Sequence, residues 1–196
     1  TGVALIHIDD AGENAITVIA GANGAARAAA ITPGQWSRAT LLLLQLEVPL
    51  AQVTEAARAA RARGVRVVLN AAPMQALPTA LLDAIDVLVV NEIEAATLAT
   101  QCGVDAGSDD FAAALSRRLH IDVVVTEGAR GALFAAAGSH GHARPPASTV
   151  VDSTGAGDAF TGALATALDR GLPWPQALAF AVAAGTLACG GIGAQS

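Results

Sequence analysis

The chain contains no lysine, since all 11 of its basic residues are arginines. A phosphate-binding loop of the GxxxxGK[ST] type needs a lysine, and so does an enzyme that forms a Schiff base with its substrate. Both kinds of site are therefore excluded. If the protein binds a phosphate group, we expect backbone amides to hold it.

Cysteine is scarce and long hydrophobic runs are missing. Cys102 and Cys189 lie far apart in sequence and belong to no CxxC or zinc-binding pattern, so both are expected to be reduced and buried. The longest aliphatic run, Leu41 to Leu44, is too short to cross a membrane. A formal net charge of −6 argues against binding to nucleic acid or to a membrane surface. These features predict a cytoplasmic protein.

The most informative stretch is VDSTGAGDAF, from Val151 to Phe160. An apolar run ends at Val151, and the alanine-rich segment from Ala159 to Leu168 has helical composition. The glycines between them predict a tight turn that opens a helix. The N–H groups of Gly155 to Gly157 would then face the same point as the positive end of the helix dipole, which predicts an open anion site.

Asp158 lies in the first turn of this predicted helix and looks buried. A first-turn aspartate usually only complements the helix dipole, and for an arbitrary aspartate we favour that interpretation by roughly three to one. Here the neighbouring anion site changes the balance. Phosphoryl transfer to an alcohol requires an acceptor for the hydroxyl proton and amide donors for the developing charge. We therefore interpret Asp158 as a catalytic base.

Apolar runs alternate with helical stretches along most of the chain, as is typical of parallel strands covered on both faces. The predicted strands are Leu41 to Leu46, Val65 to Leu69, Val87 to Val90 and Val123 to Val125. The predicted helices are Leu50 to Arg63, Asn91 to Thr100, Phe111 to Leu119, Gly155 to Arg170 and Pro173 to Ala188. A hairpin around GSHG, joining Gly131 to Ala137 and His142 to Pro145, and a strand before the signature complete the series. This order predicts an α/β fold with a doubly wound, mostly parallel sheet flanked by helices.

The start of the chain has a different pattern. Val3 to Ile8 and Ala15 to Ala20 flank the polar turn DDAGEN, which predicts an antiparallel hairpin. The alanine- and glycine-rich stretch from Gly21 to Gly34 is either a hinge or a short helix.

DSTGAGDAF resembles the C-terminal signature of the ribokinase family, the PfkB-type carbohydrate kinases. Further segments match that family in the same order along almost the whole chain, and seven motifs in order are specific. They are TGVALI at 1–6 with GEN at 12–14, QLEVP at 45–49, LNAAP at 69–73, NEIEA at 91–95, TEGARG at 126–131 and GAQ at 193–195.

The resemblance implies a sugar kinase that transfers the γ-phosphate of ATP to the primary 5-hydroxyl of D-ribose. Asp158 would be the base and would contact the sugar, and Glu47 would bind the sugar as well. The anion hole would be formed by the amides of Gly155, Ala156 and Gly157. Another sugar or a nucleoside is the alternative acceptor.

The resemblance also implies ATP, Mg²⁺ and K⁺ as cofactors. Asn91 and Glu94 match an NxxE motif that organises magnesium beside the nucleotide. Gly157 and the stretch Thr126, Glu127, Gly128, Ala129, Arg130 and Gly131 would contact the nucleotide. The residues that match a potassium site are Asp152, Thr154, Ala188, Gly191 and Gly193.

The family's architecture implies two parts and a partner. Residues 1–34 would be a partial β lid with a hinge, and residues 35–196 would be the α/β nucleotide-binding and catalytic core. Such lids often pair between subunits, so the resemblance implies a homodimer. The small-molecule partners would be a sugar and ATP.

Several of these residues also have plain structural interpretations. Asn91 could simply cap the next helix, with Glu94 as a favourable first-turn charge. For Glu47, at a strand end, a ligand contact and a structural role are evenly balanced. Arg130, between two glycines, fits a turn residue better than a phosphate clamp.

One departure from the family bears on activity. The chain starts at Thr1, inside a predicted lid strand, and it has no GGxGxN turn for the sugar. It also ends just after GAQ. We therefore expect a fragment of a kinase that turns over poorly by itself, and the competing hypothesis is a catalytically incompetent nucleotide-binding fragment.

Overall fold

The computed structural model describes residues 1–8, 14–105, 111–136 and 138–194. It contains a six-stranded sheet flanked by helices and a separate two-stranded sheet. The strands are β1 Val3–Ile8, β2 Asn14–Ile19, β3 Leu41–Leu44, β4 Arg66–Asn70, β5 Val87–Asn91, β6 Asp122–Thr126, β7 Ala132–Ala136 and β8 Ser139–Ala143. The helices are α1 Pro33–Trp36, α2 Leu50–Arg61, α3 Thr79–Leu82, α4 Glu92–Cys102, α5 Phe111–Leu119, α6 Ala156–Asp169 and α7 Trp174–Ala188.

The large sheet runs in chain order from β3 to β8. Strands β3 to β6 pair in parallel, and β7 and β8 add an antiparallel edge. The predicted α/β fold with a mostly parallel sheet is therefore confirmed. Because parallel strands end at the same edge, the residues that follow β3, β5 and β6 are brought to one side of the molecule.

Both faces of the sheet are buried, which explains the continuous apolar runs. Val67 and Leu69 of β4 belong to a hydrophobic core that includes residues of α2 to α5. Val68, between them, belongs to the opposite core, which includes residues of α6 and α7. This alternation is the two-residue period of an extended strand. It places α6, with the signature turn at its start, on the face opposite α4.

The hairpin of β7 and β8 is real, but its predicted turn is wrong. Ala136 pairs with Ser139, so the chain reverses before Ser139, and Ser139 to Gly141 of the GSHG segment already lie in β8. Gly138, with φ of +81°, lies at the reversal. Gly141 is a strand residue beside the Phe134 ring, where an added Cβ would lie 2.7 Å from a ring carbon. Gly141 is therefore needed for close packing against Phe134, whereas the sequence pattern assigned it to the turn.

The strand predicted before the signature is also wrong. Val150 and Val151 lie outside the strands and are 66% and 54% exposed. The backbone N–H groups of Val151 and Asp152 donate to the carbonyl of Cys189, at the end of α7. The backbone of this segment is therefore tied to a helix end rather than to the sheet.

The N-terminal hairpin forms as predicted, with antiparallel pairing of β1 and β2 from Val3↔Ile19 to Ile8↔Asn14. Most of the DDAGEN turn lies outside the described residues. The stretch from Gly21 to Gly34 does not form one helix: it has short 3-10 turns at Gly21–Ala25 and Ala28–Ala30 before α1 begins. Within the described ranges, none of the helices has the length and apolar character needed to span a membrane.

Candidate active site

The signature turn leaves backbone amides unsatisfied at the start of α6. Gly155 is the N-cap in the left-handed conformation, with φ of +78°. The N–H of Ala156 donates to the Ser153 carbonyl at 3.2 Å. The N–H groups of Gly155 and Gly157 have no hydrogen-bond partner among the described residues. With the positive end of a 14-residue helix, they form a candidate anion site.

Asp158 follows this turn directly, in the first turn of α6. The prediction that its carboxylate is buried is wrong, because Asp158 is exposed. It forms no salt bridge with any residue that the structure describes. An exposed, unpaired carboxylate one residue after the free Gly157 amide is available to accept a proton from a ligand.

A cavity of about 570 Å³ opens beside the signature turn. Ala156 and Gly157 line it from α6, while Thr126, Gly128 and Ala129 line it from the turn after β6. Two segments that are about 30 residues apart in sequence thus share one pocket, whose volume is in the usual range for a small-molecule site. Asn91, Glu94, Glu47 and Asp158 are not among the residues that line this cavity.

The turn from Thr126 to Gly131 is fixed in place by backbone and charged contacts. The Glu127 N–H donates to the Gly131 carbonyl at 2.8 Å. The Glu127 carboxylate lies 3.6 Å from the Arg130 guanidinium and 3.1 Å from His142 Nε2 on β8. The side chain of Glu127 is only 17% exposed, so this carboxylate is the centre of the network.

Arg130 is paired with carboxylates and does not line the cavity. Its guanidinium donates a hydrogen bond to Glu92 in the first turn of α4 and also lies near Glu127. The hydrogen bond to Glu92, helped by both negative charges, raises the pKa of Arg130. This pairing ties the turn after β6 to the start of α4. Sequence reasoning missed it, because Glu92 and Arg130 are 38 positions apart.

Asn91 and Glu94 form a reciprocal cap at the start of α4. The Glu94 N–H donates to Asn91 Oδ1 and the Asn91 N–H donates to Glu94 Oε2, both at 2.8 Å. Burial raises the pKa of the Glu94 carboxyl, and the hydrogen bond from Asn91 opposes that shift. Asn91 also pairs with Thr126 across β5 and β6, next to the nucleotide-turn candidate. Asn91 and Glu94 therefore do cap α4, as the structural interpretation of this motif predicted. Asn91 is also exposed and lies next to Thr126, which lines the cavity.

Asp152 joins the signature turn to the loop after α7. Its Oδ1 accepts hydrogen bonds from the N–H and the hydroxyl of Thr154, and its Oδ2 accepts one from the Gly193 N–H at 2.8 Å. Ala194 also packs against Gly155, where an added Cβ would lie 2.9 Å from its Cβ. The residues matched to a potassium site, apart from the helix residue Ala188, therefore lie in two loops in direct contact. Gln195 of the GAQ motif lies outside the described residues.

We predict that Asp152→Asn weakens the fold at neutral pH and has a smaller effect at pH 3. The hydrogen bonds from Thr154 and then Gly193 lower the pKa of Asp152. A carboxyl whose folded pKa is depressed stabilises the protein above its unfolded pKa of about 3.9, and that stability is lost as the pH falls through the folded pKa. Urea unfolding at pH 7 and pH 3 measures the difference between variant and wild type.

The matched control for Asp152 is Asp83→Asn, since Asp83 is an exposed carboxylate without a salt bridge among the described residues. Its effect on unfolding should be small at both pH values. If Asp152→Asn lowers the free energy of unfolding equally at pH 7 and pH 3, the lowered pKa of Asp152 does not contribute to stability.

Glu47 follows β3, at the same edge of the sheet as Asn91 and Thr126. It is exposed, and its backbone N–H donates to the side chain of Gln45. Placement outside the carboxyl end of a parallel strand is where open α/β sheets bind ligands. Glu47 therefore lies at the edge of the sheet where ligands commonly bind, and no described contact joins it to Asp158.

A parallel sheet, a turn with free amides and a neighbouring cavity define an α/β protein with a candidate site for a small anionic ligand. The sequence profile of the pfkB family carbohydrate kinases matches residues 1–196, so the chain belongs to that family.

Individual relatives agree with this assignment. The ribokinase of Haemophilus influenzae is 34% identical over 202 residues, covering all of this chain and 65% of the relative. The crystal structure of a ribokinase from Thermotoga maritima superposes with a TM-score of 0.88 at 31% identity, covering 100% of this chain and 65% of that one. The Arabidopsis thaliana ribokinase, solved with ribose and ATP, gives a TM-score of 0.85 at 32% identity, covering 99% and 64%. The chain thus spans slightly less than two thirds of these relatives.

Proposed function

We propose that the protein is the catalytic and nucleotide-binding part of an ATP-dependent kinase that phosphorylates the primary 5-hydroxyl of D-ribose. One observation carries the proposal: Gly157, whose N–H is free, and the turn from Thr126 to Gly131 line one cavity, and the unpaired Asp158 directly follows Gly157. The ribose and ATP in the Arabidopsis thaliana relative support both substrates.

The chemistry assigned to this site is a single phosphoryl transfer. Asp158 accepts the proton of the sugar hydroxyl, whose oxygen forms a bond to the γ-phosphorus of ATP. The bond between that phosphorus and the β–γ bridging oxygen breaks, and ADP leaves with the electron pair. The amides of Gly155 and Gly157 donate to the phosphoryl oxygens as charge develops, and each such donor is typically worth about 3 kcal/mol. Ala156 contributes less, because its N–H already donates to Ser153.

The remaining site residues bind the substrates and ions. Glu47 contacts the sugar, and residues 126–131 lie along the nucleotide, with Arg130 fixing the turn through Glu92 and Glu127. Asn91 and Glu94 fit Mg²⁺, because an amide and a carboxylate oxygen are the hard ligands that this ion takes.

Potassium fits the two loops that Asp152 joins. The carboxylate of Asp152 already accepts three hydrogen bonds, so main-chain carbonyls of residues 152, 154, 188, 191 and 193 would hold the ion. Its charge would stabilise the neighbouring anion site. Equal rates in potassium and sodium would contradict this assignment.

Residues 1–34 serve as a partial lid and hinge on the core of residues 35–196. The hairpin exposes Val3, Leu5, Val18 and Ile19 by half or more. A two-stranded sheet is marginally stable alone, so pairing with the lid of a second copy would bury these side chains and form a homodimer. Sedimentation at several concentrations tests this, and a monomer throughout would contradict it.

A coupled ADP-release assay with ribose, magnesium and potassium tests the kinase activity. Ribose-dependent ADP formation that disappears in Asp158→Asn supports the proposal. Nucleotide binding measured by calorimetry, without turnover on ribose, other sugars or nucleosides, supports the second candidate, a nucleotide-binding fragment without catalysis.

We predict that Glu94→Gln separates the cap from the metal role. Glutamine at this position still accepts from the Asn91 N–H, and it removes the cost of burying a charge, so the free energy of unfolding at pH 7 should be unchanged or higher. Loss of a carboxylate that organises magnesium should raise the Mg²⁺ concentration for half-maximal rate by roughly tenfold or more.

Urea unfolding and a magnesium titration of the rate measure the two effects of Glu94→Gln. Glu55→Gln, which removes an exposed carboxylate from α2, is the control for net charge and should leave both unchanged. If Glu94→Gln unfolds more easily and keeps its magnesium dependence, Glu94 is only a cap.

A further inference from the structure

The cavity beside the signature turn has few side chains that can distinguish one nucleobase from another. Within the described part of the chain, no charged, amide or imidazole side chain lines it. The polar side chains that reach it are the hydroxyls of Thr126, Ser148, Ser153 and Thr186 and the thiol of Cys189. Its other side chains are apolar, and the loop that closes it enters through Pro145 and Pro146, which have no backbone N–H.

The four hydroxyls cannot enforce one pattern of donors and acceptors. Ser148 and Ser153 form no side-chain hydrogen bond with any described residue, and a free hydroxyl donates or accepts according to how it rotates. Thr126 and Thr186 donate to the carbonyls of Val90 and Val182, so toward a ligand their oxygens act as acceptors. An acceptor favours the 6-amino group of adenine over a 6-oxo group by one hydrogen bond, which corresponds to roughly tenfold.

Strong rejection of a 6-oxo purine needs more than one additional hydrogen bond to the 6-amino group. A site whose buried polar groups are matched to one substrate rejects the unmatched analogue by about 10⁴-fold or more, whereas an apolar pocket discriminates by only about 10- to 200-fold. The directional donors of the proposed site are the free amides of Gly155 and Gly157, which the proposal assigns to the phosphates.

We infer that the donor pocket binds purine nucleotides as a class, through their phosphates and the faces of the base, and does not select a 6-amino from a 6-oxo purine. The inference rests on the proposed function, because it assigns the cavity to the nucleotide. The kinase would then accept inosine and guanosine triphosphates as phosphoryl donors beside ATP.

Calorimetric titration of the protein with ADP, IDP and GDP, each with magnesium, tests the inference without requiring turnover. IDP is the sharpest probe, because its base differs from that of ADP at the 6-substituent and the adjoining ring N–H alone. We expect dissociation constants within about tenfold of one another. A preference for ADP of more than about tenfold over IDP overturns the inference and leaves the kinase proposal intact, whereas failure of all three to bind overturns both.

Two variants check whether the free hydroxyls read the base after all. Ser148→Ala and Ser153→Ala should each leave the ratio of ADP to IDP affinity within about threefold of the wild-type ratio. A ratio is insensitive to the fraction of folded protein, so partial unfolding cannot imitate the result. A tenfold fall in the ratio in either variant would show that a hydroxyl selects adenine, and would overturn the inference.

Discussion

Asp158→Asn should lower kcat for ribose phosphorylation by about 10²- to 10⁴-fold while leaving the affinity for ADP within a few fold of wild type. Asparagine has nearly the same shape but cannot take the hydroxyl proton. Because Asp158 is exposed and unpaired among the described residues, no buried network is broken. The variant should lose only a favourable helix-dipole interaction, worth about 0.3–1 kcal/mol in unfolding.

The matched control is Asp169→Asn, at the opposite end of the same helix. Asp169 is also exposed, and as a negative charge near the helix C-terminus it is slightly unfavourable there. This variant should keep full activity and gain a little stability. Steady-state rates, ADP titrations and urea unfolding of both variants complete the comparison. If Asp158→Asn retains more than a tenth of the wild-type kcat, Asp158 is not the base.

The local anatomy around Asp158 could be predicted because one short segment specifies it. Two glycines before an alanine-rich run predicted the turn and the start of α6 to within one residue. The exposure of Asp158 could not be predicted in this way, because it depends on what the rest of the fold places over the helix start. The segment before the turn was misread for the same reason, since its backbone bonds to Cys189 are set by α7.

The central sheet could be predicted because its strands are buried on both faces. Val67, Val68 and Leu69 are all fully buried, and only a strand between two layers needs such a run. The charged network around Glu127 could not be predicted, because Glu92, Arg130 and His142 come from three elements and meet only after β5, β6 and β8 align. Sequence patterns report local periodicity, whereas these contacts depend on register between strands.

Gly131→Ala should strongly destabilise the fold, although Gly131 lies in the turn that follows β6. Gly131 has φ of +101° and ψ of −129°, a conformation that is essentially restricted to glycine. An added Cβ would lie 2.0 Å from the carbonyl oxygen of Ala143, a backbone atom that cannot move aside alone. Backbone strain and the forced shift together should lower the free energy of unfolding by about 3 kcal/mol or more.

The same substitution should also weaken nucleotide binding, because Gly131 and its neighbours line the cavity. Gly138→Ala is the matched control: it also has a positive φ, +81°, but a Cβ there meets no atom within 4 Å, and it does not line that cavity. Its cost should be about 1–2 kcal/mol, with ADP affinity unchanged. Urea unfolding and ADP titration of the pair separate backbone strain from close approach. If both variants lose the same free energy of unfolding and the same ADP affinity, the close contact between Gly131 and Ala143 of β8 does not determine the stability of the turn.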